Sequence, residues 1–274
     1  LSEITLDDMV HMMVGRTVSR DRVRLENTAT DEIVLEAKHI HSGRAVQDAS
    51  INVRKGEIVA ISGLVGAGRT ELVHAIFGVD KMDSGEVFIN GEKQTRITPT
   101  SSIRKGLGLL PESRKEFGLS LILPIYQNIT QAALKKASTW GVLRLKDEHD
   151  VTQEYIERLK IVCPNMRQKV VNLSGGNQQK VVLGKWLYTE SKILIFDEPT
   201  RGIDVGARDE IYHLICDLAK AGNSILVISS DLPEIMTIAD RIYVMRLGRI
   251  VAELPYEGTT QEDIIRYASG GNEA

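Results

Sequence analysis

An apolar run that stops on two adjacent carboxylates, Ile193 to Thr200 reading ILIFDEPT, restricts the possible folds of this chain more than any other segment. A strand with no polar residue before its end is buried on both faces, the condition of a central strand in a parallel sheet. Just upstream, Leu173 to Lys180 reads LSGGNQQK. A serine and two glycines there precede a helix, so unpaired backbone N–H groups and the positive end of a helix dipole face outward and suit an anion. Together the two segments point to closure over nucleotide phosphates.

The flanking pattern agrees. Helix Gln178 to Tyr188 leads to strand Lys192 to Phe196. Helix Ala207 to Ala221 follows, with the stripe Ile211, Leu214, Ile215 and Leu218 and a closing Gly222, and then strand Ser224 to Ser230. Strands alternating with helices predict an α/β fold whose parallel sheet is covered on both faces, with its site at the strands' carboxyl ends. Upstream, EIVLEAKHI, ASINVRKGEIVAISG and GEVFING, with turns at Gly56 and at Asn90 and Gly91, predict a small antiparallel β layer. Between Ser101 and Asn172 the periodicity is mostly helical. Trp140, Leu143 and Leu145, and later Tyr155, Ile156 and Leu159, offer apolar faces, so a helical lobe over about 113–172 is expected as an insertion in the α/β core.

A third segment completes the phosphate reading. Strand Ile58 to Ser62 runs into Gly63 to Thr70, GLVGAGRT, and then into the apolar-periodic helix Leu72 to Phe77. Strand, glycine loop and helix in that order match the P-loop, so Gly63, Leu64, Val65, Gly66, Ala67, Gly68, Arg69, Thr70 and Glu71 are the candidate phosphate cradle. Where GxxxxGK[ST] carries lysine this chain has Arg69, a wide planar fork in place of a slim ammonium. A plain strand-to-helix junction is the alternative for this segment taken alone.

Composition removes rival classes. A formal net charge of −3 with both signs interspersed argues against a protein that coats nucleic acid, and tracts such as Arg20 to Arg24 or Arg54 and Lys55 are too short for a basic arm. Cys163 and Cys216 lack a metal spacing and fit a reducing compartment. No apolar run approaches the roughly 18 residues of a membrane helix, so a membrane role is expected to come through a partner.

The opening TLDDMVHMMVG, Thr5 to Gly15, echoes the closing TQEDIIRYASG, Thr260 to Gly270. If the closing segment is the last helix of a domain over 32–274, then 1–15 is the last helix of a preceding, similar domain and 16–31 a linker. Two unrelated amphipathic helices with alike caps remain the alternative.

LSGGNQQK, FDEPT and then GID at Gly202 to Asp204 resemble the ATP-binding cassette (ABC) ATPases of membrane transporters. MMVGR, PESRKEFGL, DEPTRGIDVGAR and SSDLPE further resemble the second cassette of the fused ATPase subunits of ribose, galactose and xylose importers. The resemblance implies a P-loop NTPase cassette working with ATP and Mg2+. Thr70 and Asp197 would coordinate the metal, and Glu198 would act as general base. Ser174, Gly175, Gly176 and Gln178 would reach the γ-phosphate of an opposite cassette, with Asp204 across that interface.

Against the family pattern, Glu112 stands at the glutamine that senses metal and γ-phosphate, where it could still ligate the metal but adds negative charge beside a polyphosphate, and Ser230 stands at the switch histidine. Ile40, flanked by His39 and His41, stands at the aromatic that stacks on adenine. Since these departures and Arg69 belong to this domain's own half-site, while LSGGNQ is intact, the expectation is an asymmetric pair in which this domain completes the partner's site and turns over slowly at its own. The implied partners are a second cassette in the same polypeptide, permease subunits on the cytoplasmic face of the membrane and, indirectly, a sugar-binding protein, with no nucleic acid. Phe117 and Leu119 are expected near the permease contact. The rival readings are a fully competent ATPase, a soluble cassette acting on nucleic acid or ribosomes, and a docking module without nucleotide.

Overall fold

The computed structural model describes residues 22–271. The expected helix over 1–15 and the first residues of the expected linker lie outside them. The strands are β1 (Ile33–Ser42), β2 (Val46–Arg54), β3 (Ile58–Ser62), β4 (Ser84–Ile89), β5 (Glu92–Lys93), β6 (Leu107–Leu110), β7 (Ser138–Thr139), β8 (Val142–Leu143), β9 (Ile193–Asp197), β10 (Ser224–Ile228), β11 (Arg241–Arg246) and β12 (Arg249–Pro255). The helices are α1 (Arg69–Phe77), α2 (Pro99–Arg104), α3 (Ile125–Thr130), α4 (Leu145–Arg158), α5 (Gly175–Tyr188), α6 (Val205–Lys220), α7 (Leu232–Ile238) and α8 (Gln261–Ser269), with a π-helical turn at Arg114–Gly118.

One mixed sheet runs in the order β5-β4-β1-β2-β12-β11-β3-β10-β9-β6. Strands β11, β3, β10, β9 and β6 are mutually parallel, and every residue of β3, β9, β10 and β6 is buried. That double burial is why these strands read as apolar runs without alternation. Strands β1, β2, β4 and β5 form the expected small antiparallel part, joined to the rest where β2 pairs with β12 through Asp48 and Arg249.

Two expectations change. Trp140, Leu143 and Leu145 do not share a helical face. Trp140 and Gly141 form the two-residue turn of the β7–β8 hairpin at φ 55° and 80°, leaving Trp140 99% exposed, and Leu145 begins α4 in an exposed position. Two successive positive φ values are what such a hairpin demands, and local turn chemistry overrides the apolar spacing. Residues 22–31 are also not a free tether. Arg24 is fully buried, donates through Nε and Nη2 to Asp240 at 3.0–3.3 Å, and reaches the Gly56 carbonyl at 2.9 Å.

At the other end of the chain, the Thr, Asp and Gly shared by the two terminal segments have a local task. In α8, Thr260 and Asp263 form a reciprocal capping box and Gly270 closes the helix at φ 89°. Helix capping by itself therefore accounts for these three residues in the closing segment.

Candidate functional site

Four parallel strands end at one edge, and each delivers one part of the site. Strand β3 runs into the glycine loop, β6 into Glu112, β9 ends at Asp197 before Glu198, and β10 leads to Ser229 and Ser230. A cavity of about 590 Å³ lies among them, lined by Val65 to Glu71, Glu112, Glu198 and Ser230.

The loop is built to expose backbone. Gly68 sits at φ 101°, and a Cβ there would lie 2.3 Å from the Ala45 carbonyl, so only glycine fits. No side chain caps α1 at Gly68, which leaves the first-turn N–H groups of a nine-residue helix for an anion. Thr70 donates its hydroxyl to Asp197 Oδ1 at 3.2 Å, while Asp197 Oδ2 is buried without a hydrogen-bond partner. Burial pushes the Asp197 carboxyl up to about 6, against the pull of the Thr70 hydroxyl and with the neighbouring Glu198 charge adding to the rise. Hard oxygen donors with an unsatisfied carboxylate oxygen suit a divalent cation.

Glu198 is held by strain. Its backbone lies at φ 48°, and its N–H donates to the Ile228 carbonyl at 2.8 Å. Both carboxylate oxygens are engaged: Ser230 donates to Oε2 at 3.2 Å, and Arg69 Nη2 lies 3.6 Å from Oε1. Arg69 itself is 8% exposed and donates through Nη1 to the Ser229 carbonyl at 2.6 Å. Burial lowers the pKa of its guanidinium, opposed by Glu198, Asp197 and Glu71.

Glu112 is ion-paired with the exposed Arg201, which offsets part of its charge. Beside it, Arg114 donates to the Arg201 carbonyl (2.9 Å), the Gly202 carbonyl (3.1 Å) and Gln178 Oε1 (3.3 Å). Lys185 of α5 donates back to the Gly118 carbonyl at 2.6 Å, and its burial lowers the ammonium to about 8.

The expected signature residues stand apart from this cavity. Ser174 is exposed and caps α5, accepting from the Asn177 N–H at 3.4 Å and from Asn177 Nδ2 at 2.9 Å. Gly175 is half-buried, and Gly176 is packed so that a Cβ would lie 2.9 Å from Ala207. Gln178 is not presented to a partner: it is 3% exposed, with Nε2 donating to the Val170 carbonyl at 3.2 Å and Oε1 taken by Arg114. One turn further along α5, its side chain points inward. Asp204 is exposed and caps α6, accepting from the Ala207 N–H at 3.0 Å.

Ile40 offers nothing to a base, being fully buried in β1. His39 is exposed but paired with Asp48 at 3.0 Å, and His41 Nδ1 lies 2.9 Å from the His39 carbonyl. Phe117 is 73% exposed, whereas Leu119 is core at 8% and forms no outward surface. Sequence reasoning did not reach Arg114, Arg201 or the buried Glu234, which accepts from Thr200 (2.8 Å) and Ser229 (2.5 Å). Their motifs were visible, but apart from Ser229, five residues before Glu234, their partners lie far away in sequence with no periodicity to join them.

Comparison with known proteins supplies the family. The pattern described as "ABC transporter" matches residues 46–201. A "Putative ribose/galactose/methyl galactoside import ATP-binding protein 3" of Burkholderia cenocepacia (strain HI2424) is 45% identical over 274 residues, covering all of this chain and 53% of that protein. A "Ribose import ATP-binding protein RbsA" of Lactococcus lactis subsp. lactis (strain IL1403) is 46% identical over 269 residues, covering 98% of this chain and 54% of that protein. The chain thus spans about half the length of these curated relatives.

Among solved structures, a nucleotide-free ATP-binding cassette from an ABC transporter superimposes with a TM-score of 0.71 at 24% identity, over 86% of this chain and 95% of that one. A dimeric cassette in a post-hydrolysis state bound to ADP and Pi gives 0.69 at 22%, over 82% and 100%. The fold is that of an ABC cassette, and the chain belongs to the ABC transporter family.

Proposed function

We propose that this chain is the second, ATP-binding half of a two-cassette ATPase subunit that drives sugar import, docked on permease subunits at the cytoplasmic face of a membrane and served by a sugar-binding protein. The observation that carries the reading is the convergence of the glycine loop, the Asp197 and Glu198 pair and Ser230 at the ends of adjacent parallel strands. The half-length match to ribose and galactose import proteins supports the tandem arrangement, with residues 32–274 as one cassette and 1–15 closing the one before it. Among the described residues no helix is long and apolar enough to cross a membrane, in keeping with attachment through a partner.

In this reading the backbone N–H groups of Gly63 to Thr70 hold the phosphates of ATP. Thr70 and the unpartnered Oδ2 of Asp197 hold Mg2+, which when bound offsets phosphate charge. Glu112, paired with Arg201, contributes to that metal only if the pair opens. Glu198 is placed to take the proton of an attacking water, yet both its oxygens are engaged, which supports slow turnover at this site. The exposed Ser174 and the tip of α5 then complete the site of the opposite cassette.

The test is steady-state ATP hydrolysis by the full two-cassette protein. Ser174→Arg removes most turnover and Glu198→Gln leaves most of it. The reverse outcome assigns the working site to this half and makes it a fully competent ATPase.

A further inference from the structure

The cation in the glycine loop is already committed elsewhere. Arg69 Nη1 donates to the Ser229 carbonyl at 2.6 Å, and Nη2 faces Glu198 Oε1 at 3.6 Å. Neither partner is a loose surface group. Ser229 donates its hydroxyl to the buried carboxylate of Glu234 at 2.5 Å and accepts the Asp231 N–H at 3.0 Å, while Glu198 is fixed by its left-handed backbone and by Ser230. One guanidinium therefore ties the loop after β3 to the ends of β9 and β10. A planar fork can hold a carbonyl and a carboxylate at once, as a single ammonium on a slim stem does not.

We propose that Arg69 is a latch that discriminates between nucleoside diphosphate and triphosphate. The inference rests on the nucleotide reading above and deepens it. A diphosphate is held by the backbone N–H groups of the loop and the first turn of α1, and leaves the latch closed. A third phosphate, arriving on the Glu198 side of the cavity, has to draw the guanidinium away from Ser229 and Glu198. Opening strands a buried carbonyl and frees a carboxylate beside the incoming negative charge, so triphosphate affinity is reduced relative to diphosphate. A site tuned this way retains its hydrolysis product and recharges poorly.

Calorimetric titration of the chain with Mg-ADP and with the Mg complex of a β,γ-imido ATP analogue tests this. The unaltered chain binds the diphosphate at least as tightly as the analogue. Arg69→Lys shifts the ratio of the two affinities toward the analogue by about tenfold or more, the worth of a charge-assisted hydrogen bond, whatever the substitution does to either affinity alone. In the unaltered chain, amide hydrogen exchange at residues 229–232 rises with the analogue and not with ADP, a readout that does not depend on the variant folding. An unchanged ratio in Arg69→Lys, or exchange at 229–232 that ignores the third phosphate, overturns the latch and leaves the nucleotide site standing. If neither nucleotide binds either protein at millimolar concentration, the nucleotide reading falls together with the latch.

Discussion

Replacing Arg24 with alanine tests where this cassette begins. Arg24 is fully buried and Asp240 has a side chain 2% exposed. The pair shares two parallel contacts, Nε to Oδ1 at 3.1 Å and Nη2 to Oδ2 at 3.0 Å, and Asp240 also accepts the Ile58 N–H at 2.9 Å. Removing the arginine leaves a buried carboxylate with no cation of equal quality, since Arg22 lies at 3.6 Å and is itself partly exposed. Breaking such a pair costs about 3–5 kcal/mol. For a domain of this size that lowers the melting temperature by roughly 6–20 °C, at about 2–4 °C per kcal/mol.

Thermal unfolding followed by circular dichroism measures the loss, and two deletions localise it. Removing residues 1–21 leaves the melting temperature within about 2 °C, because Arg22 and Arg24 remain, whereas removing 1–31 reproduces the Arg24→Ala loss. A double-mutant cycle with Asp240→Ala recovers most of the single-mutant loss as coupling energy. If Arg24→Ala shifts stability by less than about 1 kcal/mol, the range of an exposed ion pair, then 22–31 is a linker after all and the burial argument fails.

Two further outcomes follow from the site's construction. Burial raises the Glu234 carboxyl from 4.5 to about 7, against the hydroxyls of Ser229 and Thr200, so the folded state binds its proton more tightly than the unfolded state. That contribution is present in full below pH 4.5 and is lost as pH rises through 7; it is on the order of 3 kcal/mol, and urea melts of Glu234→Gln between pH 5 and 7.5 should lack that slope. Gly68→Ala, whose Cβ would meet the Ala45 carbonyl at 2.3 Å, is expected to lose more than about 2 kcal/mol in urea unfolding, whereas Gly66→Ala, at φ 80° with nothing within 4 Å, loses only about 1 kcal/mol.

The parallel core was legible because burial on both faces leaves a plain trace: β3, β9 and β10 are uninterrupted apolar strands, and the turns that follow them carry the glycines, carboxylates and hydroxyls of the site. The P-loop glycines were equally readable, since a positive φ against a neighbouring carbonyl admits no other residue at Gly68. What stayed hidden was direction and pairing. Gln178 and Ser174 belong to one motif and, four residues apart, share nearly one face of the helix, but Ser174 caps the exposed tip while Gln178, one turn in, is covered by Arg114 and the Val170 segment, neighbours that no local spacing announces. Glu112 looked like an added negative charge because nothing in a linear reading ties it to Arg201. Trp140 leaves the expected helical face because it and Gly141 take two successive positive φ values in a hairpin turn, which apolar spacing does not reveal.

The π-helical turn at Arg114–Gly118 is fastened at both ends to the same helix. Arg114 grips Gln178 near the start of α5 and the carbonyls of Arg201 and Gly202, and Lys185, further along α5, grips the Gly118 carbonyl. These contacts restrain the turn against α5 at both of its ends. A displacement of the segment that carries the exposed Phe117 ring would therefore strain the Arg114 contact with Gln178, one turn from Ser174.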